Sequence, residues 1–589
     1  MAQKWIPLAI ALCAVAAFLV LAIGDITGSS PTYDEPVHLA AGWSYLATGD
    51  YRLNPEHPPL LKMFAAAAGG KLWPAAMTNA ADGTQSFSSL QEMWNLALTN
   101  KQAQWFFSHH LLYSLRDSAL QRLGTTVSAV PTTVPIPRGD FLNDTERTFF
   151  RARLALLLLS GLGLAAIIFS WSYELWGAWG AALSVTFFAF DPNFIAHAGL
   201  VTTDAGISFF FAGTLYFFWR ASRALNAVNA IAFALFFAAA MLAKFSAVLL
   251  LPMLVLIIVT VGRKQWMRLS ALAAGALLVS VIAIWSAYGF RSMPVAKPFP
   301  IRDVAARIGF LGKAVVFADR AHLLPHPYLY GFAAVQESTI NREAYLRGEF
   351  SQTGFRSYFF WTFLYKTPIP TIVAILAGLF IAWRRRKQHP GVWFVLLPAI
   401  VYLAVAIVAT INIGHRHLLP IYPFLYVLCG ALPRKFFIAS ALAMVACFWS
   451  FNAPMWGQHL AYINELGGGP RNGSKVLLDS NLDWGQDLER LRTWLDEHHV
   501  AEPVNLVYFG SPDPRYHGIR FLNLQLGYYA APEVPLDQAR VPGWVAISAN
   551  DLAGAAIPED RFYWRQWLDS HHAKLAGMAG SSIFVYRIE

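Results

Sequence analysis

Charge is scarce in this sequence. Of 589 residues, 14% are Asp, Glu, Lys or Arg and 56% are hydrophobic. Soluble globular chains carry roughly 25% charged residues. The shortfall excludes an ordinary water-soluble protein and points to an integral membrane protein with length to spare for extramembrane parts. Cysteine is scarcer still. Cys13, Cys429 and Cys447 are the whole complement, and each lies in an apolar run. No disulfide framework can staple a domain outside the membrane. The chain also lacks a phosphate-cradling glycine loop, a zinc-ligand spacing and a Ser-His-Asp pattern. No repeat of 20–50 residues recurs.

The net charge is +10, unevenly spread. From Met455 onward there are 11 Lys/Arg against 16 Asp/Glu, a net of −5. The basic excess belongs to the apolar part. It reports topology and lipid headgroups and gives no reason to expect a nucleic-acid partner.

A helix needs about 20 apolar residues to cross a bilayer. Eleven stretches qualify, near 5–24, 153–172, 177–194, 205–220, 226–242, 246–262, 270–289, 368–383, 391–411, 416–432 and 435–452. The first, with Lys4 ahead of it, is long enough to span and is read as a retained helix. Alternate short loops carry Arg220 and Arg223; Arg263, Lys264 and Arg268; Arg384 to Lys387; Arg434 and Lys435. By the positive-inside rule these loops and Lys4 are cytoplasmic. The N-terminus is then inside and the C-terminus outside. The outer side receives two large loops, 25–150 and 290–365, and the region 455–589. Trp5, Trp171, Trp219, Trp285 and Trp383 fall near span ends, where interfacial rings sit well. The expected architecture is a polytopic α-helical membrane domain over 1–454 and an extracytoplasmic α/β domain over 455–589. Within the latter, 475–479, 504–509, 545–548 and 583–586 read as strands, and 484–498 and 561–572 as helices. Gly124–Gly139, rich in Thr, Val and Pro, reads as an exposed loop.

Five constellations carry candidate chemistry. Tyr33-Asp34-Glu35-Pro36-Val37-His38 opens the first outer loop. A carboxylate there can take a proton from an attacking hydroxyl, or cap a helix. Asp204 stands at the outer end of a span, as a functional acid or an N-cap. Arg151, Arg153, Lys244 and Arg416, the last within His415-Arg416-His417, are cations on the outer side against the charge rule. A lipid phosphate would explain them; so would snorkelling or pairing with the acids. Glu56 and His57, in Asn54-Pro-Glu-His-Pro-Pro-Leu60, are candidate acceptor contacts but too few for a metal site. Asp479-Ser-Asn-Leu-Asp483-Trp-Gly-Gln486-Asp487-Leu has capping-box spacing between Asp483 and Gln486, which favours a structural role.

Together these motifs resemble the polyprenyl-phosphate-dependent glycosyltransferases with a membrane C-type fold, among them the protein O-mannosyltransferases and the lipid A aminoarabinose transferase. Tyr33-Asp34-Glu35 matches their first-loop acidic pair. Arg153 resembles a second-span arginine, Asp204 an acid near the fourth span, Lys244 an outer lysine. His415-Arg416-His417-Leu-Leu-Pro420 resembles a late arginine-leucine-proline stretch. The resemblance implies a hexosyl- or pentosyltransferase of the inner (plasma) membrane. It would move a sugar from a polyprenyl-phosphate donor to a hydroxyl of a protein, glycan or lipid acceptor, with inversion. Asp34 would be general base, Glu35 would orient the acceptor or hold Asp34 in place, Asp204 would support the acceptor side or a cation, and Arg153, Lys244, Arg416 and Arg151 would face the lipid phosphate. His38, Glu56, His57, His415 and His417 would contact acceptor or sugar. No metal site or cofactor is assigned, and a divalent cation used by some relatives is left open. Two other classes compete. A transporter or flippase for lipid-linked sugars would place its charges nearer the midplane, commonly in two related halves. A cell-envelope binding protein would explain the C-terminal domain but not the cations.

Overall fold

The computed structural model describes residues 2–73, 80–81, 86–87, 90–97, 101–124, 130–261, 263–292, 300–340, 342–447, 449–450, 453–528 and 530–589. Helix occurs in the described part of each of the eleven predicted spans, but not along the full length of every one. Four described helices are long and apolar enough to cross a membrane: Trp5–Gly28, Thr145–Ala189, Arg263–Ala287 and Pro390–Val408. Two bent pairs bring the number to six. Ala227–Ala243 and Phe245–Thr260 are apolar but shorter. Thr145–Ala189 carries the second and third predicted spans, and the chain breaks direction at Gly177, whose φ of +80° glycine tolerates. In the pair Tyr358–Lys366 and Ile369–Arg385 the 115° bend falls at Pro368, a residue that cannot continue a helix. Of the five tryptophans placed at span ends, Trp171 and Trp219 are instead buried, 6.1 Å apart ring to ring. Helix packing outweighs their interfacial preference there.

The loop read as 25–150 folds onto the helices. Glu35–Thr48 and Leu60–Gly69 pack closely because a Cβ on Gly42 would meet the Lys62 carbonyl oxygen at 2.0 Å. In the loop read as 290–365, strands β1 (Ala344–Leu346) and β2 (Glu349–Ser351) form an antiparallel hairpin.

The C-terminal domain holds a five-stranded mixed sheet. Its strands are β3 (Val504–Val507), β4 (Phe521–Asn523), β5 (Gly543–Ser548), β6 (Lys574–Ala579) and β7 (Ile583–Ile588), in the order β4-β3-β5-β7-β6. The β4-β3-β5 pairings are parallel and the rest antiparallel. Period-two alternation sends Val504, Leu506, Ala546 and Val585 to one face, under Leu491 and Trp494 of helix Leu488–Glu497. Val507, Val545 and Ile547 face the other way, under Trp564 and Leu568 of helix Tyr563–Ser570. Two helical layers thus cover a partly parallel sheet, the arrangement that strands apolar on both faces require. Strands β4 and β6 were not foreseen. The expected strand at 475–479 is irregular, with a short 3-10 turn at Asp479–Asn481. The predicted loop at 124–139 is not simply exposed. Its residues 125–129 lie outside the described residues, but Thr132 pairs with Phe521 on β4, and Val130 and Ile136 are buried.

Candidate active site

Backbone ends converge beneath the C-terminal domain. Ser30–Asp34 leaves the first helix and pairs with residues 484–488. Ser30 N donates to Gln486 O (3.0 Å) and Tyr33 N to Trp484 O (2.8 Å). The Ser30 hydroxyl donates to Gly485 O (3.1 Å) and accepts from Leu488 N (3.2 Å). Ser511 Oγ donates to Tyr33 O (2.7 Å). The expected capping box does not form. Helix Leu488–Glu497 starts later, Gln486 turns back to Leu482 O and Trp484 N, and Asp483 accepts from Asn550 N and Gly485 N. The stretch is a clamp on the acidic pair.

The two adjacent carboxylates have opposite environments. Glu35 is fully buried and saturated. Arg153 donates to both its oxygens (2.8 and 2.6 Å), and Val201 N, Thr32 N and Thr32 Oγ1 complete the set. Burial alone would raise its carboxyl; the Arg153 guanidinium and the two backbone donors outweigh this and hold it below the usual range. Arg153 spends its remaining donors on the carbonyls of Ile26, Ser29 and Ser30. All five of its N–H groups are engaged, so it has none to offer a phosphate. This corrects the expectation for Arg153 and leaves Glu35 no face for an acceptor. Asp34 keeps 24% of its side chain exposed.

Asp34 belongs to a second group. Arg416 Nη1 lies 3.0 Å from Asp34 Oδ2 and 3.8 Å from Asp204 Oδ2. Lys244 Nζ donates to Asp204 Oδ1 at 2.5 Å. The Arg416 guanidinium lies over the Trp484 ring at 4.1 Å, a cation–π contact supplied by the C-terminal domain. Two acids and two cations make this group neutral as it stands. It still holds buried polar atoms without a hydrogen-bond partner: Asp204 Oδ2, Arg416 Nε, and nearby His57 Nδ1 and His417 Nε2. Such atoms are costly unless a ligand completes them.

Of these residues His57 and His417 line the polar end of a groove of about 450 Å³, which Asp204 meets only through its partner Lys244. Lys244, His57 and His417 line that end, and Val248, Val335 and Val405 are among the apolar residues beyond. Burial, then Lys244, pushes the His57 imidazole well down, so it is neutral at pH 7. Burial also lowers the His38 imidazole, whose Nδ1 sits 2.9 Å from Val201 O.

Several predicted residues lie elsewhere. Arg151 is exposed, on the other face of its helix from Arg153, and forms none of the ion pairs found among the described residues. His415 Nε2 contacts Tyr422 Oη (2.7 Å) and its backbone N–H is held by Asn481, a structural setting away from the groove. Glu56 is half-buried, within electrostatic reach of the buried Lys62. Trp484, Gly485 and Ser511 were not singled out for the site, although the first two lie in a motif that was. Among the described residues no group of three or more His, Cys, Asp or Glu side chains is arranged to hold a metal ion. Asp34 and Asp204 are each countered by a cation instead.

Apolar helices, two acids and two paired cations beside a largely apolar groove make up the candidate site. Residues 145–287, about a quarter of the chain, match the family model described as dolichyl-phosphate-mannose-protein mannosyltransferase. The resemblance read from the motifs is thereby shown over this stretch, which contains Arg153, Asp204 and Lys244. Among curated proteins none matches the chain. Among solved structures, ArnT from Cupriavidus metallidurans bound to undecaprenyl phosphate is similar at 12% identity, with 100% of this chain and 99% of that one covered and a TM-score of 0.47. The apo Archaeoglobus fulgidus oligosaccharyltransferase is similar at 12% identity and TM-score 0.43, covering 85% of this chain and 59% of that one.

Proposed function

We propose that this chain is a membrane glycosyltransferase that moves a sugar from a polyprenyl phosphate to an acceptor hydroxyl on the outer face of the membrane, with inversion. The observation that carries the reading is the groove: largely apolar, lined also by Lys244, His57 and His417, and joined through the Lys244–Asp204 pair to the Asp204–Arg416–Asp34 chain of charges. An isoprenoid tail fits the apolar part and a phosphate the end that holds Lys244. The family match over residues 145–287 supports the same donor class.

Asp34, the exposed member of the acidic pair, takes the proton as the acceptor oxygen bonds to the anomeric carbon. The bond from that carbon to the phosphate oxygen breaks, and the negative charge passes to the lipid phosphate. Protonation of Asp34 cancels the charge that Arg416 was neutralising. Arg416 is then available to the leaving phosphate, beside Lys244, when charge grows there. Glu35 and Arg153 hold the loop that presents Asp34. Asp204 holds Lys244. On this reading the N-terminus is cytoplasmic and the C-terminal domain outside, in the plasma membrane.

The test supplies membranes carrying the protein with polyprenyl-phosphate sugars and seeks labelled acceptor by mass spectrometry. Asp34→Asn should lower turnover by about 10²–10⁴-fold with donor binding retained. Near-normal turnover would remove Asp34 from the base role. A reporter fused after Glu589 and active only in the cytoplasm would overturn the orientation.

A further inference from the structure

We infer that the hairpin β1–β2 and the C-terminal domain form a subsite for one sugar ring of the acceptor, so that the acceptor is a carbohydrate rather than a protein side chain. The inference rests on the transferase reading above and adds the acceptor's class.

A separate cavity of about 180 Å³, sized for a single ring, lies between these elements. Tyr345 and Phe350 of the hairpin, Tyr358, Phe509 and Asp479 line it. It backs onto the proposed donor groove. Thr410, Ile411 and Phe359 line the groove, and their neighbours Asn412, Ile413 and Tyr358 line the cavity. Two adjoining spaces leave room for two substrates, the lipid phosphate in one and the acceptor ring in the other.

The lining suits a polyhydroxylated ring. Aromatic faces take its C–H surface, and carboxylate, amide and phenol groups take its hydroxyls. Asp479 is half-buried, and only its Oδ1 is engaged, by Ser480 N at 2.5 Å. Its φ of +55° is an uncommon conformation for a residue other than glycine. Such strain persists where the surroundings over-determine it. Here Asn550 holds the Asp479 N–H, and Ser480 Oγ donates to Ile413 O at 2.8 Å beside Gly414, where a Cβ would meet that hydroxyl at 2.1 Å. Tyr358 Oη accepts from Asn481 and retains its own proton for a ligand oxygen.

The cavity is connected to the proposed base. Phe509 stacks on Tyr33, the residue before Asp34, with ring centres 5.1 Å apart. The walls are braced. Arg347 N donates to Val476 O, Tyr345 Oη to Ser474 O, and Arg561 pairs with Glu343 while lying over the Phe350 ring at 3.9 Å.

The experiment uses the full chain in detergent and saturation-transfer NMR with methyl glycosides of glucose, mannose and galactose. At least one glycoside should bind. Asp479→Asn, which keeps the side chain's shape, should weaken it about ten- to a hundredfold, the range for losing one charge-assisted hydrogen bond. Ala344→Trp, which fills the cavity, should abolish it. Undecaprenyl phosphate affinity should stay unchanged in both variants. Glycoside binding that survives both changes, or that no wild-type protein shows, overturns the subsite. If the undecaprenyl-phosphate sugar displaces the glycoside but undecaprenyl phosphate does not, the ring is the donor's and the acceptor inference fails. A protein peptide glycosylated with unchanged KM by the Ala344→Trp protein refutes it as well. The donor reading fails separately, through loss of lipid-phosphate binding from the wild-type protein itself.

Discussion

Replacing Arg153 with Met should unfold this protein earlier without weakening its grip on the lipid phosphate. Arg153 gives two N–H groups to Glu35 and three to backbone carbonyls. In Arg153→Met the Glu35 carboxylate keeps only Thr32 N, Thr32 Oγ1 and Val201 N, at a site with no exposure. Stranding one partner of a buried ion pair costs about 3–5 kcal/mol. If the 589 residues unfold as one unit, at about 2.1 cal/mol/K per residue the midpoint falls by about 2–4 °C. Adding Glu35→Gln should recover part of the loss, about 0.5–3 kcal/mol of coupling. The assay is thermal unfolding in detergent alongside undecaprenyl phosphate binding per folded molecule. The pair also fixes an acid limit. The folded pKa of Glu35 lies below its ordinary 4.5, so its contribution is complete above about that pH. It is lost as pH falls through the folded value. The Glu35→Gln protein should lack that component. An unchanged midpoint in Arg153→Met with a tenfold loss of phosphate affinity would refute the structural assignment and make Arg153 a phosphate ligand.

Three further outcomes follow from the same geometry. Lys244→Met should weaken lipid-phosphate binding about ten- to a hundredfold, and pairing it with Asp204→Asn should restore melting temperature but not affinity, as titration and melting curves would show. Asp487→Ala should destabilise the C-terminal domain by at least about 2 kcal/mol, because Ser581 N, Ser582 N and Ser582 Oγ all lose their acceptor; denaturant unfolding of the full chain measures it. Burial would raise Asp513, but Arg515 and then His109 hold it well below its ordinary 3.8. Its contribution should be complete above about pH 3.8 and lost on further acidification, and Asp513→Asn should flatten that limb of a stability–pH curve.

The helical membrane part was legible because its signals are long and additive. Twenty apolar residues and a basic loop need no knowledge of neighbours. The site was legible as a set of residue types. Asp34, Asp204, Lys244, Arg416, His57 and His417 do converge. What sequence order could not supply was partner choice. Arg153 and Lys244 broke the same charge rule, yet one is buried in a saturated pair and the other stands at a groove, a difference set by the fold of residues 26–32. The 483–486 stretch has the spacing of a capping box, but its role as a clamp depends on a strand of chain some 455 residues away. Strands β4 and β6 were missed because the first has three residues and the second contains Gly577 and exposed Lys574 and Leu575, which dilute the alternation.

The seam between Ser30–Tyr33 and Trp484–Ser511 has a consequence for biosynthesis. The segment bearing Asp34 leaves the ribosome before the segment that fixes it, which follows some 455 residues later. At about 5–20 residues per second that gap lasts roughly half a minute to a minute and a half. Throughout it the nascent chain has inserted helices and a carboxylate but no clamp, and no Trp484 ring beneath Arg416. A chain released early, anywhere before residue 484, would remain in the membrane without a positioned base. Competence would therefore be switched on only once the segment from Trp484 to Ser511 has been made.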